Sequence, residues 1–168
     1  VLERFMRERG LASRYACPAL PPLAKDAIRE IEKLPLGPGT CFVGSSLGGF
    51  YATYLAEKHG ARAVLVNPAI EPHVGLRAYL GPQANLHSGE PYVLTERHLQ
   101  EWADLVVPAI RAERYLLLVE TGDEVLDYRQ AVERYAGAQQ VVVQGGDHSL
   151  QSFPRHLPAI LRFAGLAA

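Results

Sequence analysis

The chain predicts an α/β fold: a mainly parallel sheet flanked by helices. Three observations carry this. Apolar runs of strand length alternate with amphipathic runs of helix length. The strand runs lack polar alternation, which implies burial on both faces, the condition of a parallel sheet covered by helices. The length of 168 residues, with 48% apolar and 21% charged content, suits a single domain over 1–168 with a full-sized core.

The elements follow in order. Residues 2–9 predict a helix from the stripe Leu2, Phe5 and Met6, closed by Gly10. Residues 14–18 predict a short strand, ended by Pro18, Pro21 and Pro22. Residues 24–34 predict an amphipathic helix with Ile28, Ile31 and Leu34 inward and Glu30 and Lys33 outward. After a turn at 35–39, residues 40–44 predict a buried strand and 47–59 a helix capped by Gly60. Residues 61–66 predict another strand, ended by Asn67-Pro68. Residues 69–97 then break the alternation. They hold Pro72, Pro82 and Pro91 with Gly75, Gly81 and Gly89 and show little periodicity, too long a stretch for a plain connector. With the helix predicted over 96–105 they make a lid-like excursion, 69–105; an ordered surface excursion is the alternative. A strand over 115–120, a helix over 127–135, a strand over 140–144 and a helix over 154–163 complete the chain.

Between the strand at 40–44 and the helix after it stands Gly44-Ser45-Ser46-Leu47-Gly48. This is G-x-S-x-G, the pattern of a nucleophile elbow. So sharp a turn calls for glycine two positions either side of the nucleophile, and only Ser46 has both; Ser45 does not. The turn exposes the Ser46 hydroxyl and aims the Leu47 N–H, at the positive end of the helix, toward the same point as an oxyanion donor. A tight turn with glycines for close packing is the plainer reading of the pentapeptide. A phosphate loop is excluded, because Phe50 and Tyr51 stand where Lys and Ser/Thr are needed, and G-x-G-x-x-G is absent.

The strand at 115–120 is followed by Thr121-Gly122-Asp123-Glu124, and the last strand by Gly145-Gly146-Asp147-His148. A serine, an acid and a histidine thus fall at successive strand ends, where open α/β sheets bind ligands. That is the chain order of the α/β-hydrolase fold. A serine hydroxyl needs a neutral imidazole to take its proton, and a carboxylate must hold that imidazole in the right tautomer. Asp123 is the preferred acid. Asp127 is better explained as a helix N-cap, and Glu124 is expected to point away. His148 is the preferred base and His156 the weaker candidate. His59 suits a helix end, and His73, His87 and His98 lack the spacing of a helical zinc site.

The net charge of −1 argues against a nucleic-acid partner, and the absence of an apolar run near ~18 residues argues against a membrane span. Cys17 and Cys41, in separate predicted strands, read as buried reduced thiols. With no C-x-x-C and no zinc spacing, neither metal nor organic cofactor is implied, and a cytoplasmic setting is expected. The chain opens at Val1 inside a helical pattern, so a natural N-terminus upstream is expected.

The elbow Gly44-Ser45-Ser46-Leu47-Gly48-Gly49-Phe50-Tyr51-Ala52-Thr53 resembles that of the small bacterial YqiA-type esterases, an α/β-hydrolase family. The likeness continues through Val66-Asn67-Pro68-Ala69, Gly89-Glu90-Pro91-Tyr92-Val93-Leu94 and the nine residues from Thr121 to Arg129, and ends near Gly145-Gly146-Asp147-His148. It implies a serine esterase with Ser46, Asp123 and His148 as its triad, acting on a small-molecule acyl ester or thioester through an acyl-enzyme. The chain departs from the family pattern at Asp147, usually Asn, and at Ser149-Leu150, usually Ala-Phe. The resemblance also implies an opening strand between those holding Cys17 and Cys41, followed by a His-Gly-Phe loop that gives the second oxyanion donor. A sheet lacking that strand would expose unpaired edges, so roughly 15–25 residues are expected beyond this numbering. Two further readings stand beside the esterase. One is an acyl-CoA thioesterase, for which Arg77, Arg97, Arg111 and Arg114 are candidate phosphate contacts. The other is a non-catalytic binding module on the same fold.

Overall fold

A computed structural model of the chain describes residues 1–84 and 89–166. Its elements run α1 (Leu2–Glu8), α2 (Ala24–Ile31), β1 (Cys41–Ser45), α3 (Leu47–His59), β2 (Arg62–Val66), α4 (Pro72–Gly75), β3 (Gly81–Ala84), β4 (Pro91–Leu94), α5 (Glu96–Asp104), β5 (Tyr115–Glu120), α6 (Tyr128–Arg134), β6 (Gln139–Val143) and α7 (Phe153–Phe163).

Burial along β5 explains the layering. Every residue of this strand is buried, and successive side chains point to opposite faces. Leu116 and Leu118 pack with Leu150, Leu157 and Ile160 on the face covered by α1 and α7. Leu117 and Val119 pack with Ala52 and Ala56 of α3 and Ala131 of α6 on the other. A third cluster lies outside α3, where Phe50, Tyr51 and Leu55 meet Ile28 of α2 and Leu99 and Trp102 of α5. Helix α3 is thus buried on two sides, and its sequence is correspondingly apolar all round rather than striped. Trp102 is the chain's one tryptophan. It is buried, and its indole N–H donates to the Tyr51 hydroxyl at 2.8 Å.

The sheet is parallel, in the order β1-β2-β5-β6. Its register pairs Ser45 with Val66, Val66 with Leu118, and Glu120 with Val143. The carboxyl ends therefore finish along one edge, and the segments that follow begin side by side.

The structure corrects three expectations. No strand forms over 14–18. A 3₁₀ turn spans Ala12–Arg14, and Tyr15, although extended, enters no ladder. Extended conformation alone does not make a strand; a partner does. Strand β1 has no partner on its outer side among the described residues. Second, Cys17 is exposed, and Cys41 is half-buried with its thiol pushed up to about 12 by desolvation. Third, the stretch 69–97 is not featureless. It carries α4, a 3₁₀ turn at Leu76–Tyr79, and an antiparallel β3–β4 hairpin pairing Gly81 with Leu94 and Ala84 with Pro91. His87 lies outside the described residues. No helix among the described residues is long and apolar enough to cross a membrane.

Candidate active site

Ser46 sits between β1 and α3 with φ 52 and ψ −121. A non-glycine residue at positive φ is sterically costly and persists only where its surroundings over-determine it. Here they do. Ser46 N–H donates to Val66 O at 3.0 Å, and Ser46 O accepts from Gly49 N–H at 2.9 Å and Ala69 N–H at 3.0 Å. A Cβ on Gly44 would fall inside the Gly48 carbonyl, so glycine is required there. The expectation for Gly48 is corrected: a Cβ on it meets nothing within 4 Å. The second steric demand falls instead on Gly49, where a Cβ would lie 2.6 Å from Pro68 Cβ. The Leu47 N–H, first of α3, has no backbone acceptor among the described residues, as helix geometry requires of a first-turn donor.

The acid and the histidine meet two strands away. His148 Nδ1 lies 2.9 and 2.8 Å from the two oxygens of Asp123. The Asp123 side chain is 1% exposed and that of His148 22%. Asp123 Oδ1 also accepts from the N–H groups of Val125 and Leu126, each at 2.9 Å. With its carboxylate facing Nδ1, the ring carries its proton there and leaves Nε2 as the basic nitrogen. No hydrogen bond joins Ser46 Oγ to His148 Nε2 in this structure.

The loops carrying this pair are stitched together. Gly122 N–H donates to Gly145 O at 2.9 Å and Gly145 N–H to Thr121 Oγ1 at 2.9 Å. A Cβ on Gly122 would overlap the Gly146 carbonyl. Three residues given no role at the site by the sequence also bear on His148. Glu124, expected to point away, accepts from the His148 backbone N–H at 3.0 Å. Asn67, with φ 39, donates through Nδ2 to the carbonyls of Asp147 at 3.1 Å and His148 at 3.0 Å. Glu120, 1% exposed, accepts three backbone N–H groups of the same loop. Burial works to raise its pKa, but hydrogen bonds from Ser152 and from the amides of Asp147, Ser152 and Gln151 prevail and hold it below its ordinary value. The sequence signals were slight: one charge closing an apolar strand, and an Asn-Pro after another.

The remaining candidates fall elsewhere. Asp127 caps α6, its side chain accepting from Arg129 N–H at 3.0 Å. Asp147 bonds Ser149 and Gln151 rather than the neighbouring imidazole. His59 pairs with Glu32, His98 with Thr95 and His156 with Ser152. Arg77, Arg97 and Arg114 are engaged with Glu96, Glu101 and Glu57, at 3.0, 3.0 and 2.9 Å. Arg111 meets Glu57 through its backbone N–H. Among the described residues no group of three or more His, Cys, Asp or Glu is placed to hold a metal. A cavity of about 290 Å³ lies against α3, lined by Phe50, Ile70, Leu105, Val107 and Tyr135 among others. Ser46, Asp123 and His148 do not line it; Phe50 stands one helical turn beyond Ser46.

A family model described as "Uncharacterised protein family (UPF0227)" matches residues 1–165. The chain belongs to this family. It is the YqiA-type family whose motifs the sequence resembles. Solved structures agree on the fold. A protein from Agrobacterium vitis S4 is 22% identical, with a TM-score of 0.56 over 74% of this chain and 60% of its own. The α/β-hydrolase domain-containing protein 10 from mouse is 16% identical, with a TM-score of 0.58 over 86% and 69%. Tomato methylketone synthase I, solved with β-ketoheptanoate, is 14% identical, with a TM-score of 0.64 over 97% and 90%. The chain thus spans less than two thirds of the Agrobacterium protein's length. These likenesses place the family member in the α/β-hydrolase fold.

Proposed function

We propose that this family member is a serine hydrolase cleaving carboxylic esters through an acyl-enzyme. Ser46 attacks the ester carbonyl while His148 Nε2 takes its proton. His148 then returns that proton to the departing alcohol. Water repeats the sequence on the acyl-enzyme and releases the acid. Asp123 keeps the imidazole in its Nδ1–H tautomer and stabilises the cation that forms. The Leu47 N–H is one donor to the oxyanion, worth roughly 2.7–4 kcal/mol in such sites. The excursion 69–105 acts as the lid, and its Ile70, lining the cavity beside α3, supports a role in receiving the acyl group.

One observation carries this reading. A buried carboxylate grips His148 Nδ1 at 2.8 Å, on the same sheet edge that holds Ser46 at φ 52. Ester is preferred to acyl-CoA thioester because three of the four candidate phosphate-binding arginines are engaged by glutamates. The test is hydrolysis of p-nitrophenyl acetate and butyrate by the protein beside Ser46→Ala, with fluorophosphonate labelling of both. Turnover and labelling lost together in Ser46→Ala support the proposal. Equal rates in the two proteins, or no labelling of the parent, overturn it in favour of a binding module.

A further inference from the structure

We propose that Glu120 and Asn67 are positioning residues that hold the His148 backbone in the reactive register; the proposal rests on the serine hydrolase reading above. His148 lies in a loop after an outer strand, with little of the sheet's rigidity. Glu124 of the neighbouring loop holds its backbone N–H, and the remaining ties come from the ends of the two inner strands.

Glu120 ends β5 and points to the α1/α7 face, like Leu116 and Leu118 before it on the strand. Its Oε2 accepts from Asp147 N–H at 2.9 Å and Gln151 N–H at 3.2 Å, and its Oε1 from Ser152 N–H at 3.0 Å. Three amides that flank His148 on both sides thus converge on one buried anion. Leu150, at φ 54, turns the chain so that they can. Gly146 leaves room for the carboxylate, since a Cβ there would overlap it.

Asn67 closes the arrangement from the end of β2. Its Oδ1 accepts from Glu120 N–H at 3.0 Å, and its Nδ2 spends both hydrogens on Asp147 O and His148 O. Every donor of that amide is used, so its orientation is set by the network. The backbone carbonyl of His148 and the amides on either side of it are therefore tied to the strands that define the sheet edge.

The chemistry demands these residue types. A carboxylate presents two acceptor oxygens to three donors. The side-chain amide introduced by Glu120→Gln would present one oxygen, and its NH₂ would confront an N–H of the loop. Asn67→Ala removes both ties to the carbonyls. Loss of either residue lets His148 drift relative to Ser46, and a displacement on the order of 1 Å costs about 10²-fold in rate.

The test compares Glu120→Gln and Asn67→Ala with the parent, on p-nitrophenyl butyrate, with thermal melting to confirm folding. The expected result is a kcat lower by about 10²-fold with KM little changed. The same two substitutions in a His148→Ala background should leave its residual rate unchanged, because the residue they position is gone. Folded Glu120→Gln with kcat within about threefold of the parent overturns the proposal. So does an equal loss in the His148→Ala background, which marks general damage. If Glu120→Gln does not fold, Asn67→Ala is read by the same criteria. Full activity in Ser46→Ala and His148→Ala would instead sink the hydrolase reading itself.

Discussion

Asp123→Asn separates a catalytic carboxylate from a loop carboxylate. The two oxygens of Asp123 are unequal. Oδ1 serves Val125 and Leu126 N–H as well as His148; among the described residues Oδ2 serves His148 alone. The asparagine oxygen must take the Oδ1 place, since NH₂ there would face two backbone donors. The amide NH₂ then stands 2.8 Å from Nδ1, a donor against a donor. Moving the ring proton to Nε2 relieves the conflict and, in the proposed mechanism, removes the base. The expected loss is about 10⁴-fold in kcat, or about 5 kcal/mol at roughly 1.36 kcal/mol per decade. Because both loop hydrogen bonds survive, Tm should move by no more than a few degrees. The assay is steady-state hydrolysis of p-nitrophenyl butyrate alongside thermal melting. A folded Asp123→Asn enzyme within tenfold of the parent kcat would refute the assignment of Asp123.

Three further outcomes are expected. Gly44→Ala, with a Cβ inside the Gly48 carbonyl, should fail to fold or lose more than about 3 kcal/mol, whereas Gly48→Ala, facing open space, should be neutral or gain up to about 1 kcal/mol by helix propensity; denaturant melts of the two decide. Asp127→Ala should cost about 1 kcal/mol of stability through the lost cap and leave kcat unchanged; a fall in kcat beyond threefold would return Asp127 to contention as the acid. Glu120 has its pKa held below the ordinary 4.5 by hydrogen bonds from Ser152 and the loop amides, which outweigh burial. A carboxylate depressed in the folded state contributes stability that is full above its unfolded pKa and is lost as pH falls through the folded one. The Tm advantage of the parent over Glu120→Gln should therefore be constant from about pH 7 to about 5 and shrink below about 4.5; an advantage that grows on acidification would contradict the sign.

The sheet was legible in the sequence because its inner strands are apolar on both faces. Tyr115–Glu120 is so wholly buried that its limits coincide with the expected ones. Helix α3 was legible at both ends, since Ser46 marks one and Gly60, in the left-handed region, marks the other. The failures share a cause: they depend on partners distant in sequence. Residues 14–18 have strand-like composition but no ladder to join. Gly81–Ala84 has little β propensity and becomes a strand only by pairing with Pro91–Leu94. At the site, Ser46 stood out by G-x-S-x-G, and Asp123 and His148 by following strands in the serine–acid–histidine order. Asn67 and Glu120 did not, because their meaning lies in contacts to a loop 27–81 positions away, set by strand register rather than local pattern. Gly49 was overlooked for the same reason, its constraint coming from Pro68 across the turn.

The hydrogen bond from Trp102 to Tyr51 has a practical side. Helix α5 belongs to the excursion, and Tyr51 lies on the helix that begins at Ser46. With a single indole in the chain, its emission comes from this one junction. Lifting α5 away from α3 would wet the ring and release its N–H, shifting the spectrum to the red, while a tight seat would keep it blue. The protein therefore carries its own optical gauge of the excursion's position, readable in real time as an ester is added and without any attached dye.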